Sequence, residues 1–302
     1  MRLKTGLALS GGGARGAAHI GVLKVLHENN IKFDCIAGTS AGALIGAMYA
    51  ATEDPVWVEE RFKSFLTNKV FNQMGVGKVV PSTFSNSVFG QLARKIKNNL
   101  VMVVSLRRDS IIKRKRLEEA FRYLVPVKTF EELKVPLFIT ATELETMQPR
   151  IYSEGDLIEA IVRSSSIPGY VQPTRNSEEI IVDGNAIFPI PVQPIRDQAD
   201  FIIAVDITRK TSTKMKRVNI FEIVMRANQA TYENLVKYNN AEADFVIRPH
   251  VKDLHWASFD EVDALVEKGN NAAAETVDEI INLLNEKSSW IYKMKQWVGR
   301  NN

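Results

Sequence analysis

The chain has 302 residues, 45% hydrophobic and 25% charged, with a formal net charge of +4 at pH 7. That balance is ordinary for a soluble globular enzyme with a large core, in one big α/β domain or two smaller ones. A single cysteine, Cys35, excludes an intramolecular disulfide and suits a reducing compartment; lying inside an apolar run, it reads as a buried structural thiol.

Arg2 and Lys4 precede an apolar stretch in the manner of a signal peptide, but the stretch is short and runs directly into Gly11-Gly12-Gly13 and Arg15, so that reading is rejected. No apolar segment is long enough to span a bilayer, and the expected location is the cytoplasm, with membrane contact limited to the surface. The charge is concentrated. Residues 94–116 carry nine basic side chains against one acid, Asp109, a net +8 that leaves −4 for the rest of the chain. A local excess of this kind suits one anionic surface better than nucleic acid.

In chain order, Leu7 to Gly16 is an apolar run feeding a glycine loop, followed by a helix over 17–29. A second apolar run from Phe33 ends in Gly38-Thr39-Ser40-Ala41-Gly42 and leads into an alanine- and glycine-rich helix over 41–51. Asp54 caps the next helix, with Pro55 in its first turn, through Phe65. Periodicity weakens over 67–110, where two readings stand: a cap or lid over a site, or an irregular insertion. A short helix over 116–124 precedes a strong strand over 136–144, with 150–153 as its hairpin partner. Asp156 caps a helix through Arg163, before the turn-rich Ser164-Ser165-Ser166-Ile167-Pro168-Gly169. Strands follow at 180–182, ending in Asp183-Gly184-Asn185, and at 201–207; long helical patterns over 219–239 and 259–298 flank a last strand at 245–247. The alternation predicts one domain over 1–302, with a central, mostly parallel sheet and helices on both faces.

Gly11, Gly13 and Gly16 also fit a dinucleotide fingerprint, which requires an acid at the far end of the second strand. The available acid, Asp34, stands at the start of that strand, so the nucleotide reading fails. The loop still offers backbone N–H groups at a helix N-terminus, suited to a developing oxyanion. Gly38 and Gly42 around Ser40, between a strand and a helix, provide the context of a nucleophile elbow. At this level the chain order Ser, acid, His can be met by a triad of Ser40, Asp183 and His250 or His255. His19 and His27, within and near the end of the first helix, read as packed or solvated.

The blocks Gly11-Gly12-Gly13-Ala14-Arg15-Gly16, Gly38-Thr39-Ser40-Ala41-Gly42 and Asp183-Gly184-Asn185, in that order, resemble those of the patatin-like phospholipases. Tyr152 to Asp156 and the Ser164 to Pro168 loop resemble bacterial members near the neuropathy-target-esterase branch. The match runs from Leu3 to about Ile207. It implies a three-layer α/β fold, a Ser40–Asp183 dyad, an oxyanion hole from Gly11, Gly12, Gly13, Ala14, Arg15 and Gly16, and hydrolysis of phospholipid or lysophospholipid esters without cofactor or metal. A non-catalytic lipid- or nucleotide-binding protein is the rival from another class. Asn185 departs from the glycine or alanine usual in the third block. Arg15 reads as a brace for its loop. The 94–116 window reads as a contact with an anionic membrane or a solvated helix face, and Trp290, Met294 and Trp297, among basic residues of 287–300, as an interfacial anchor or a final helix packed on its own core or a partner; self-association is left open.

Overall fold

The computed structural model describes residues 3–74, 112–209, 219–251, 254 and 257–300. Among them an eight-stranded sheet forms from β1 (Thr5–Leu9), β2 (Cys35–Thr39), β3 (Leu137–Glu143), β4 (Gln148–Tyr152), β5 (Thr174–Arg175), β6 (Ile180–Asp183), β7 (Phe201–Val205) and β8 (Phe245–Ile247). The order is β5-β6-β3-β2-β1-β7-β8, with β4 also on β3. β8, β7, β1, β2 and β3 run parallel; β4 and β6 are antiparallel to β3, and β5 to β6.

The helices are α1 (Ala17–Glu28), α2 (Ala41–Thr52), α3 (Pro55–Thr67), α4 (Lys69–Met74), α5 (Arg114–Leu124), α6 (Leu157–Ser164), α7 (Ile220–Ala241), α8 (Val262–Ala274) and α9 (Val277–Arg300). Strand alternation sorts the core into two layers. Leu7, Leu9, Ile36, Ile203 and Val205 point into the larger one, with apolar residues of α1, α2, α3, α5, α6 and α8. Ala8, Cys35, Ala37, Ile202 and Ala204 point the other way, against Ile190, Val192 and Ile195 and against Val236 of α7. Small residues on that second face let the chain after β6 lie close to the sheet. Cys35 is buried there, and loss of solvation raises its thiol to about 11, as fits a structural cysteine.

One predicted helix divides. The pattern over 259–298 is a short 3-10 turn (Phe259–Glu261) followed by α8 and α9, separated at Glu275 and Thr276. Thr276 Oγ1 donates back to the carbonyls of Ala272 (2.8 Å) and Ala273 (3.3 Å), a local bond that competes with continuation of the helix. Lys287, on the tail read either as a membrane contact or as a helix packed on its own core, pairs with Asp244 at 2.5 Å and lies 5.5 Å from the Phe201 ring, so this part of α9 is fastened to the sheet edge. The side chains of Trp290, Met294 and Trp297 lie outside the described residues, as do 75–111, most of the expected cap and of the basic window. Of that window's described members, Arg114 is committed to an ion pair with Glu159. No helix among the described residues is long and apolar enough to cross a membrane.

Candidate active site

Parallel pairing of β1 and β2 places their C-terminal ends side by side, with Leu9 opposite Gly38. The glycine loop leaves β1 and Ser40 leaves β2, so both motifs emerge at one sheet edge. The third block arrives differently. β4 occupies one side of β3 along 139–143, so β2 and β6 must share the other: β2 along 137–140, β6 along 141–143. β6 is antiparallel, and its last residue, Asp183, pairs with Ala141, one residue beyond the Thr39–Thr140 pair that ends β2. β2 and β6 thus terminate head to head on a single neighbour, bringing Ser40 to Asp183.

Ser40 occupies φ 54°, ψ −116°, a left-handed conformation strained for a residue with a side chain. The turn that imposes it needs bare backbone on either side. A Cβ on Gly38 would stand 2.5 Å from Ala43 Cα, and one on Gly42 only 2.1 Å from Leu9 O. The resulting elbow is buried and braced from the end of α6 and the loop after it. Ser164 Oγ accepts the Ser40 N–H at 2.8 Å, and the Ser166 carbonyl accepts the Asp183 N–H at 3.0 Å. Thr39 Oγ1 is 2.6 Å from Thr140 Oγ1 and donates to Phe188 O at 2.7 Å, tying the end of β2 and the middle of β3 to the chain after β6. The sequence marked the serine run only as a turn; its role as a common brace is a property of the fold.

Asp183 is buried, and desolvation raises its carboxyl from 3.8 to about 6, opposed by hydrogen bonds from Asn185 and by Ser40. Its Oδ1 accepts from the Asn185 N–H at 2.8 Å and from Nδ2 at 2.5 Å. The Ser40 hydroxyl is near enough to stabilise the charge but makes no aligned hydrogen bond. Oδ2 is buried and without a partner among the described residues.

The Gly11 N–H donates to Pro189 O at 3.1 Å and is therefore engaged. The 3-10 turn Gly13–Gly16 follows, and the first N–H groups of such a turn have no intrahelical acceptor, which leaves Gly12, Gly13 and Ala14 as the loop's available donors. Arg15 Nε donates to Gly12 O at 3.1 Å, the bracing expected of it. His19 is fully buried beneath the loop, with Nε2 2.8 Å from Ser10 O; desolvation lowers its pKa to about 4, so it is neutral and donates to that carbonyl. His250 is exposed beyond the end of β8, three positions along the sheet from β2, roughly 14 Å by ordinary strand spacing, and is no partner for Ser40. His255 lies outside the described residues.

Two cavities meet at Ser40. One, of about 330 Å³, is polar in part, bordered by Gly11 to Gly13, Arg15, Asp183, Asn185 and Tyr232. The other is narrow, about 90 Å³, and almost wholly apolar, running between Leu44, Ile45, Phe62, Phe65, Phe121 and Phe259. No cluster of metal-ligating side chains occurs among the described residues.

A strained serine at a strand–helix turn, a buried carboxylate near it and a glycine loop alongside define the class: an α/β protein with these three features gathered at one sheet edge. Comparison with known proteins narrows this. Residues 7–195 match the family model described as patatin-like phospholipase, and the chain belongs to that family. Among its relatives is the patatin-like phospholipase domain-containing protein ZK370.4 of Caenorhabditis elegans, 31% identical over 205 residues, which cover 67% of this chain and 13% of that protein. The uncharacterized NTE family protein Mb1092c of Mycobacterium bovis is 28% identical over 208 residues, 68% of this chain and 49% of that one. The crystal structure of VipD from Legionella pneumophila shares the fold, with a TM-score of 0.52 at 16% identity, covering 92% of this chain and 67% of that one. The chain thus spans half or less of the length of these sequence relatives.

Proposed function

We propose that the protein hydrolyses carboxylic esters of phospholipids or lysophospholipids through a Ser40–Asp183 dyad and an acyl-serine intermediate. Family membership supports lipid acyl hydrolysis. The observation that carries the dyad is the buried Asp183 Oδ2, unpartnered among the described residues and belonging to a carboxyl raised to about 6, beside a serine held at φ 54°. An ordinary carboxylate near 4 is a weak base toward a hydroxyl; desolvation narrows the mismatch.

In the first half-reaction Ser40 Oγ attacks the ester carbonyl while its proton passes to Asp183 Oδ2. The N–H groups of Gly12, Gly13 and Ala14 receive the oxyanion, a donor of this kind being worth about 3 kcal/mol. The C–O bond to the alcohol breaks, and Asp183 returns its proton to the departing oxygen. In the second half Asp183 takes a proton from water, the hydroxide attacks the acyl-serine, the fatty acid leaves and Ser40 regains its proton. The apolar cavity suits the acyl chain and the polar one the alcohol side.

Labelling by a serine-directed fluorophosphonate, together with hydrolysis of lysophospholipid and short-chain esters, tests this reading. Labelling and turnover that vanish in Ser40→Ala and Asp183→Asn are expected. Full activity in either variant refutes it.

A further inference from the structure

The residue after Gly184 has no part in a two-residue dyad, yet it makes the closest polar contact with the base. Asn185 grips Asp183 Oδ1 with both its backbone N–H and its side-chain Nδ2. The amide nitrogen must be the atom turned to the carboxylate, since an amide oxygen there would repel it. With Oδ1 held twice, the carboxyl group is fixed in its plane, and Oδ2 is left as the oxygen without a partner among the described residues.

This contact also explains Gly11. Its N–H is spent on Pro189, and what it lacks is a side chain. A Cβ at this position would stand 2.4 Å from Asn185 Nδ2 and 2.5 Å from Oδ1. The first glycine of the loop therefore makes room for the amide that holds the base. It joins the first sequence block to the third.

We propose that Asn185 is a positioning residue for Asp183, directing Oδ2 toward Ser40, and that Gly11 is required in order to admit it. The inference rests on the dyad reading above. Arg15 and Tyr232 are the other titratable groups bordering this cavity. Burial lifts the phenol above its usual range, and a guanidinium stays charged, so neither titrates in the window of the test.

The test is the pH dependence of fluorophosphonate labelling at Ser40, with kcat and KM for a short-chain ester, in Asn185→Ala and Gly11→Ala. Loss of one hydrogen bond to the carboxylate is expected to move the acidic midpoint upward by about one pH unit and to lower kcat about tenfold or more at pH 7. KM should stay close to wild type. Gly11→Ala should shift the midpoint in the same direction by displacing the amide, and the double variant should add little to either single one. Thermal melting verifies folding; should Asn185→Ala fail to fold, Gly11→Ala decides alone. An unchanged midpoint and kcat in the folded variants overturn the proposal while leaving the dyad intact. Wild-type protein that does not label, or Asp183→Asn that labels fully, instead removes the dyad and the inference with it.

Discussion

Asp183→Asn is expected to abolish activity and stabilise the fold, with a gain that depends on pH. The carboxyl is raised from 3.8 to about 6 by burial, so the native chain retains a proton that the unfolded chain has released between about pH 4 and 6. Stability is lost as pH rises through that window, and the loss is complete above it. At ~1.4 kcal/mol per pH unit, the cost of the ionised group at pH 8 is about 3 kcal/mol. Asparagine is a neutral counterpart that keeps an acceptor for the Asn185 N–H groups, so it should recover most of this energy. A chain of this size gains about 2 °C or slightly less per kcal/mol, giving a rise of about 5 °C at pH 8 that shrinks toward zero at pH 4. Thermal and urea melts of wild type and Asp183→Asn across that range provide the assay. A variant less stable at pH 8, or a difference independent of pH, would refute the argument that desolvation governs this carboxyl.

Three further outcomes follow from the same geometry. The acidic limb of kcat/KM should have its midpoint near 6, well above an ordinary aspartate, in a pH–rate profile on any cleaved ester. Ser40→Gly should be more stable than Ser40→Ala by about 1 kcal/mol in denaturant melts, because glycine relieves the positive φ; both should be inactive. Leu44→Phe, placing an aromatic ring in the apolar cavity, should lower kcat/KM for long acyl chains about tenfold or more while sparing acetyl esters, measured on a chain-length series.

The parts of the site that were legible are those whose chemistry is local. Gly38, Ser40 and Gly42 announce a tight strand–helix turn because only bare backbone passes there. Asp183 was available as a partner from the chain order of a triad, and resemblance made it sufficient without a histidine. What places it at Ser40 is the antiparallel entry of β6 on β3, and pairing direction is a long-range choice that no local pattern encodes. The same holds for Ser164 and Ser166, whose sequence says turn and whose location says brace. Gly11 was assigned as an oxyanion donor by its position in the motif, whereas its N–H is bonded to Pro189 and its importance lies in the space above it. Asn185 stood out as a departure from the pattern, but its grip on the carboxylate depends on Gly11, 174 positions away.

The head-to-head ending of β2 and β6 on β3 has a consequence for how such a chain tolerates change. The interval between Ser40 and Asp183 is counted in rungs of one ladder, with the length of the intervening chain making no contribution to it. Insertions in the connections between described elements leave that count unaltered, provided β2 and β6 keep their register on β3 and the elbow keeps Gly42 and its braces at Ser164 and Ser166. A single-residue slip of β6 would do the opposite, turning Asp183 to the far face of the sheet while leaving every loop unchanged. Large insertions are therefore expected to be survivable here, and one misplaced residue in a short strand fatal.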